Sequence, residues 1–202
     1  MPKTCAILLA AGESSRMGNP KPLLPWFGAT LVERQAEALL DAGVDDVYVV
    51  TGHRAYEVQA RVRGPHVHRV LNPHYKLGKS TSVKAGLASL PEGTGAIVLL
   101  AVDQPRPATL IRQVLDSHRA RRALITCPRY KGHGGHPLVF DGSLAVELDT
   151  ISEETAGVRS VIKAHADKVN WVDVDTPLAR MDLNTPETYE EAVRTFPDPR
   201  KH

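Results

Sequence analysis

Cysteine is nearly absent from this 202-residue chain: Cys5 and Cys127 are the two, each in an apolar stretch with no second cysteine beside it. That excludes a disulfide scaffold and is the pattern of packed thiols in a reducing compartment. Charge of one sign is also lacking. Twenty-five Lys and Arg stand against 23 Asp and Glu, a net +2, too slight to argue for a nucleic-acid polymer or an anionic membrane as partner. A small anionic ligand stays open. No apolar run approaches the 18 or so residues of a membrane-spanning helix, and the Cys5–Ala11 run is too short for a secretory leader, so the expected compartment is the cytoplasm. Fifteen glycines and 15 prolines against 42% apolar residues leave out collagen-like and disordered classes. There is no internal repeat and no low-complexity tract.

Three phosphate or nucleophile signatures are missing as well. After Gly12 the next glycine is Gly18, followed by Asn19 and not by Lys-Ser/Thr, which excludes the ATPase P-loop. G-x-G-x-x-G is absent, which weakens a nicotinamide-dinucleotide reading. No G-x-S-x-G occurs, so an α/β-hydrolase triad lacks its nucleophile.

What is present is a regular alternation. Short apolar runs predict strands at Ala6–Leu9, Val47–Thr51, Val67–Leu71, Ala96–Val102, Leu124–Cys127 and Val169–Val174. Between them helix-period segments predict Thr30–Ala42, Tyr56–Val62, Ser80–Leu90, Ala108–Ala120, Val158–Ala166 and Pro186–Thr195. The first has Thr30 and Glu33 at capping-box spacing and Gly43 as a stop. The alternation argues for an α/β fold of three layers, α/β/α, doubly wound on a mostly parallel sheet. One domain over residues 1–196 with a frayed tail at 197–202 fits the length. Lys131–Asp141, rich in glycine around two histidines, is expected as an excursion over one end of the sheet. His133 and His136 are a weak metal pair, with no Cys and no carboxylate at ligand spacing.

The most informative stretch is Leu9–Lys21, reading LAAGESSRMGNPK directly after the first strand. Small residues with Gly12 and Gly18 let several backbone N–H groups converge on one concavity, the usual cradle for phosphate oxygens, and Arg16 and Lys21 add fixed positive charge. Ser80 and Ser82 stand at a predicted helix start, where serine commonly caps. Asp103 follows a strand, at the end where ligands bind in open α/β sheets, although Asp before proline also serves turns. Asp182 and Asn184 alternate by two in a segment read as extended, which places both on one face. Pro186 then opens a helix.

The Leu9–Lys21 motif resembles the signature of nucleotidyltransferases with a MobA-like domain. Among them it looks most like the molybdenum cofactor cytidylyltransferases. Asn72–Leu87 is similar to the family segment N-P-x-Y-x-x-G-x-S-x-S-x-x-x-G-L, and Gly135-His136-Pro137 to an acceptor-side G-H-P element. The resemblance implies a nucleotide-diphospho-sugar-transferase-like fold. It implies a nucleotide site of Leu9, Ala10, Ala11, Gly12, Arg16, Lys21, Ser80, Ser82 and Asp103, with Lys21 and Arg16 catalytic. Further implied are Mg²⁺ on Asp103 and Asp182 with Asn184 as helper, and His136 on the acceptor side.

The implied reaction transfers CMP from CTP to a molybdenum-bearing pterin and releases pyrophosphate, and the implied partner is an apo molybdenum hydroxylase. Guanylyl-transferring relatives usually carry Gly where Ala11 stands, and the resemblance implies that the methyl there narrows the base pocket toward a pyrimidine. Two departures from the family pattern stand out: Asp is common at the position of Asn184, and Gly134 replaces a usual Arg. Rival expectations are guanylyl transfer, transfer to another phosphorylated acceptor such as a sugar phosphate, a non-catalytic carrier of finished cofactor, and a small oxidoreductase.

Overall fold

The computed structural model describes residues 2–198, the side chain of Arg16 excepted. Thr4–Ala10, buried along its whole length, forms β1. A small hairpin of β2 (Pro25–Trp26) and β3 (Ala29–Thr30) leads into α1 (Leu31–Asp41), followed by β4 (Asp46–Thr51), α2 (Ala55–Gln59) and β5 (Val67–Leu71). The middle of the chain gives α3 (Lys79–Leu87), β6 (Ala96–Ala101), α4 (Ala108–Arg121), β7 (Ile125–Tyr130), β8 (His133–Gly134) and β9 (Leu138–Asp141). Then come α5 (Ala145–Asp149), α6 (Val158–Ala164), β10 (Val169–Asp173) and α7 (Pro186–Thr195). The Thr30–Glu33 spacing does what the sequence predicts: the Glu33 carboxylate accepts from the Thr30 N–H at 2.9 Å, closing the front of α1.

The main sheet runs β10-β7-β9-β6-β1-β4-β5, with β8 paired to β7. β1 lies parallel to both β4 and β6, and β5 and β10 extend the parallel pairing outward. Because side chains alternate along a strand, β1 feeds two cores. Ala6, Leu8 and Ala10 face a cluster with Leu31 and Leu39 of α1, Ile111 and Leu115 of α4 and Ala192 of α7. Cys5, Ile7 and Leu9 face the other, with Val83 of α3, Leu148 of α5 and Val161 of α6. This is the expected three-layer α/β/α architecture, and both cysteines are buried thiols within it.

Two expectations need correction. Lys131–Asp141 is not an excursion throughout: Leu138–Asp141 enters the middle of the sheet as β9, antiparallel to β6 and β7. Four residues are too few to show a period, and the flanking Gly and Pro disguise them; burial of Leu138, Val139 and Phe140 on both faces holds the strand in place. The Asp182–Asn184 segment is not a strand. Its chain folds back so that the Asn184 N–H donates to the Asp182 carbonyl at 3.1 Å, and the alternation argument for a shared face does not apply. Of the expected tail, Pro197 and Asp198 are described and the remainder lies outside the described residues.

Candidate active site

β1 and β6 run side by side, so the loops leaving Ala10 and Ala101 emerge together at the carboxyl edge of the sheet. That edge is where an open α/β sheet places its ligands. The first loop is held in a definite shape. Ser14 adopts a left-handed conformation (φ 56°), its carbonyl accepts from the Met17 N–H at 2.8 Å and its hydroxyl accepts from the Lys21 N–H at 2.9 Å. The Ala11 carbonyl accepts from the His53 N–H at 3.0 Å, tying the loop to the end of β4. At Gly12 an added methyl group would meet no protein atom within 4 Å, so the backbone there is bare toward open space, as a loop that lets a ligand approach closely must be.

That space is the first half of a cleft, about 260 Å³, lined by Leu9, Ala10, Ala11, Gly12, Lys21, Ser82 and Asp103. Seven of the nine expected nucleotide residues are therefore gathered around one volume. Lys21 lies deep in it, with its ammonium donating to Asp103 Oδ2 at 2.8 Å and to Asn184 Oδ1 at 3.1 Å. Ser82 accepts from Asn72 Nδ2 at 2.9 Å. Ser80 sits apart from this group: its N–H and hydroxyl donate to the Glu153 carboxylate at 2.7 and 2.8 Å. The side chain of Arg16 lies outside the described residues.

The second half, about 410 Å³, is lined by Ser80, His136, Glu153, Arg159 and Asp182, and it shares Leu9, Lys79 and Ala101 with the first. The two halves meet along one seam. Across it the Leu183 N–H donates to the Asp103 carbonyl at 2.8 Å, so Asp103 and Asp182 belong to neighbouring loops, one in each half. Burial first, then the charges of Arg106 and Lys79, push the His136 pKa down to about 3. Its imidazole is neutral in this half of the cleft. Hydrogen bonds from Ser80 lead the causes that hold the Glu153 carboxyl below its ordinary value.

Asp103, Asp182 and Asn184 offer hard oxygen donors, the chemistry of a divalent cation such as Mg²⁺ that keeps several waters. The Lys21 ammonium bridging Asp103 and Asn184 already marks a position where a cation is accepted. Among the described residues no group of three or more His, Cys, Asp or Glu stands together as a metal site.

Sequence reasoning did not single out Ser14, Lys79, Glu153 or Arg106. Ser14 and Lys79 stand inside the quoted motifs, where their neighbours drew the attention. Arg106 sits between two prolines, and nothing in that context signals that its guanidinium is 1% exposed.

The model of the MobA-like NTP transferase domain matches residues 6–181. A nicotine blue oxidoreductase of Paenarthrobacter nicotinovorans is 33% identical over 195 residues, covering 93% of this chain and 95% of that protein. A molybdenum cofactor guanylyltransferase of Xanthomonas euvesicatoria is 29% identical over 203 residues, covering 95% of each. A solved nucleotidyl transferase from Methanothermobacter superposes with a TM-score of 0.81 at 25% identity over 99% of both chains. With cleft, fold and motif in agreement along nearly its whole length, this chain belongs to the family of MobA-like NTP transferase domains.

Proposed function

We propose that the protein transfers CMP from CTP to a molybdenum-bearing pterin and releases pyrophosphate. The observation that carries this reading is the gathering of a bare glycine loop, Lys21, Asp103 and Asn184 in one half of the cleft, beside a second half open to an acceptor. A phosphate oxygen of the acceptor attacks the α-phosphorus of CTP, the bond to the β-phosphate oxygen breaks, and pyrophosphate leaves. The nucleophile is already an anion, so the chain needs no Ser, Cys or His nucleophile; it needs to neutralise and align two heavily negative reactants.

In this reading the N–H groups around Ala11 and Gly12 hold the triphosphate, and Lys21 and Arg16 meet its charge. Ser82 faces the base, with Ser80 behind it holding the wall of the cleft through Glu153. His136, neutral, accepts or donates a hydrogen bond on the acceptor side. Asp103 and Asp182, with Asn184, would hold Mg²⁺, which when bound supplies charge neutralisation and orientation for the phosphates.

Guanylyl transfer is the second reading, favoured by the relative of that name. Pyrophosphate release measured with each of the four ribonucleoside triphosphates and several phosphorylated acceptors tests both. Release with CTP alone supports the proposal, release with GTP alone turns it to the second reading, and release with neither sinks it. The relative named an oxidoreductase gives a third possibility a concrete test. Titration with NADH should show no saturable binding, whereas CTP with Mg²⁺ should bind. The converse result would make the chain a reductase on a transferase fold. Delivery of the product to an apo molybdenum hydroxylase is the matching partner proposal, and pulldown with such an apoenzyme reads it.

A further inference from the structure

Arg106 follows Asp103 by three residues and lines neither half of the cleft, bordering instead a separate cavity with Gln35 and Pro107. Its side chain is wholly buried, and a buried guanidinium ordinarily has all its donors satisfied and an anion beside it. Arg106 meets the first requirement only in part. Nε donates to the His136 carbonyl at 3.0 Å, and one Nη donates to the Pro105 and Met181 carbonyls at 2.9 and 2.7 Å. Three loops are thereby fastened to one side chain: its own, the acceptor-side loop and the loop that carries Asp182. The other Nη has no hydrogen-bond partner and lies 4.0 Å from Asp182 Oδ1. The loop below is itself braced, since Gln35 Nε2 donates to the Gln104 carbonyl at 2.7 Å and Gln35 Oε1 accepts from the Arg106 N–H at 3.2 Å.

We propose that Arg106 is a positioning residue for the reaction. It sets the Asp182 carboxylate in the seam of the cleft and holds the acceptor-side and Asp182 loops at fixed distance from Asp103. This rests on the reading of Asp103 and Asp182 as the cation-holding pair. Arg106 touches no substrate; its free N–H steadies Asp182, and its carbonyl bonds keep the loops from separating when two anionic substrates enter. Lysine at this position keeps the charge but, with a single ammonium in place of a planar fork, does not serve three directions at once.

The test compares wild type, Arg106→Lys, Asp182→Asn and the double variant in four readouts. These are thermal midpoint, CTP binding, Mn²⁺ binding by electron paramagnetic resonance, and kcat and KM of pyrophosphate release. Arg106→Lys should bind CTP within about twofold of wild type and lose about 10- to 100-fold in Mn²⁺ affinity and kcat, the usual range for a residue that orients a metal ligand. In the Asp182→Asn background the same substitution should cost little more. Full Mn²⁺ affinity in folded Arg106→Lys, or losses that simply multiply in the double variant, would overturn the proposal.

If Arg106→Lys does not fold, the guanidinium resonances of Arg106 in the wild-type chain decide. They should move on Asp182→Asn and on Mg²⁺ addition, and their failure to move rejects the role. A wild type that releases no pyrophosphate with any nucleotide defeats the transferase reading but leaves the resonance test intact. An active transferase with unmoved Arg106 resonances defeats this inference alone.

Discussion

The same mostly parallel sheet carries an Asp–Lys pair at each end, and the two pairs are built in opposite ways. At the amino end Asp46 opens β4 and its carboxylate accepts from Lys3 at 2.8 Å, with His68 and His66 ring nitrogens at 3.0 and 3.3 Å. Here the carboxylate is buried, 6% exposed, and its lysine is in solvent, 57% exposed. At the carboxyl end Asp103 accepts from Lys21 at the same 2.8 Å, but the lysine is the buried partner at 11% exposure and the carboxylate faces the cleft at 28%. A carboxylate saturated by protein donors is a fastening. A carboxylate sharing one buried ammonium with Asn184, beside open space, keeps capacity for a ligand. Under the proposed function the difference separates stability from chemistry within one sheet, and substitution can test it from either side.

Truncating the lysine gives the largest expected contrast. Lys21→Ala should keep its fold and lose about 10²–10³ in kcat, on the scale of about 3–4 kcal/mol for a preorganised charge donor at a reacting centre. Lys3→Ala should leave turnover untouched and change thermal stability little, since Lys3 is exposed and only one of three donors to Asp46. Side-by-side pyrophosphate-release and thermal-melt measurements check both. A Lys21→Ala enzyme with full activity would erase the functional half of the contrast.

The amino-end carboxylate should fail by unfolding instead. Burial alone would raise the Asp46 pKa, but the hydrogen bonds from His68, Lys3 and His66 outweigh it and bring the carboxyl down to about 2. A folded pKa below the unfolded one stabilises the fold above the unfolded value, near 3.9, and that contribution drains away as pH falls toward 2. Wild type should therefore lose stability between about pH 4 and 2, and Asp46→Ala should lose less over that window. At neutral pH Asp46→Ala should be less stable by about 1.5–3 kcal/mol, the range for hydrogen bonds to a charged group, with kcat unchanged. Urea unfolding across that pH range measures it; a variant with the wild-type acid profile would remove Asp46 as the fastening.

How far these two ends were readable in the sequence follows from what each residue needs. β1, β4, β5, β6 and the helix from Pro186 are legible because each is long enough to show a period or a cap, and Val67–Leu71 and Pro186–Thr195 match residue for residue. The glycine loop, Lys21 and Asp103 are legible because their chemistry is local: small residues, a cation and a carboxylate just past strand ends. β9 is hidden, since its identity as a strand comes from the partners on either side. The Asp46 cluster is hidden for the same reason, its donors arriving from residues 3, 66 and 68. The spacing of Asp182 and Asn184 predicts a shared face only for extended chain, and the turn at 182–184 cancels it. Arg106 takes its meaning from three carbonyls contributed by separate loops, which no single window of sequence brings together.

The smallest expected effect sharpens the carboxyl end by asking what selects the base. Ala11 is buried at the wall of the first half of the cleft, and its methyl packs toward Gly52: a Cβ built on Gly52 would come within 2.9 Å of the Ala11 methyl and 2.6 Å of the Tyr75 ring. Ala11 and Tyr75 thus pack closely around Gly52, and both line the cleft. Removing the methyl by Ala11→Gly leaves the loop hydrogen bond to His53 intact, because that bond uses the backbone carbonyl. The wall then has room to yield, so kcat/KM for GTP should rise relative to CTP by about tenfold, the low end of what one methyl group in an apolar pocket discriminates. Competition assays with both nucleotides present would read the ratio directly. A ratio that stays fixed in a folded, active Ala11→Gly enzyme would move base selection away from this wall and onto the polar edge presented by Ser82 and Asn72.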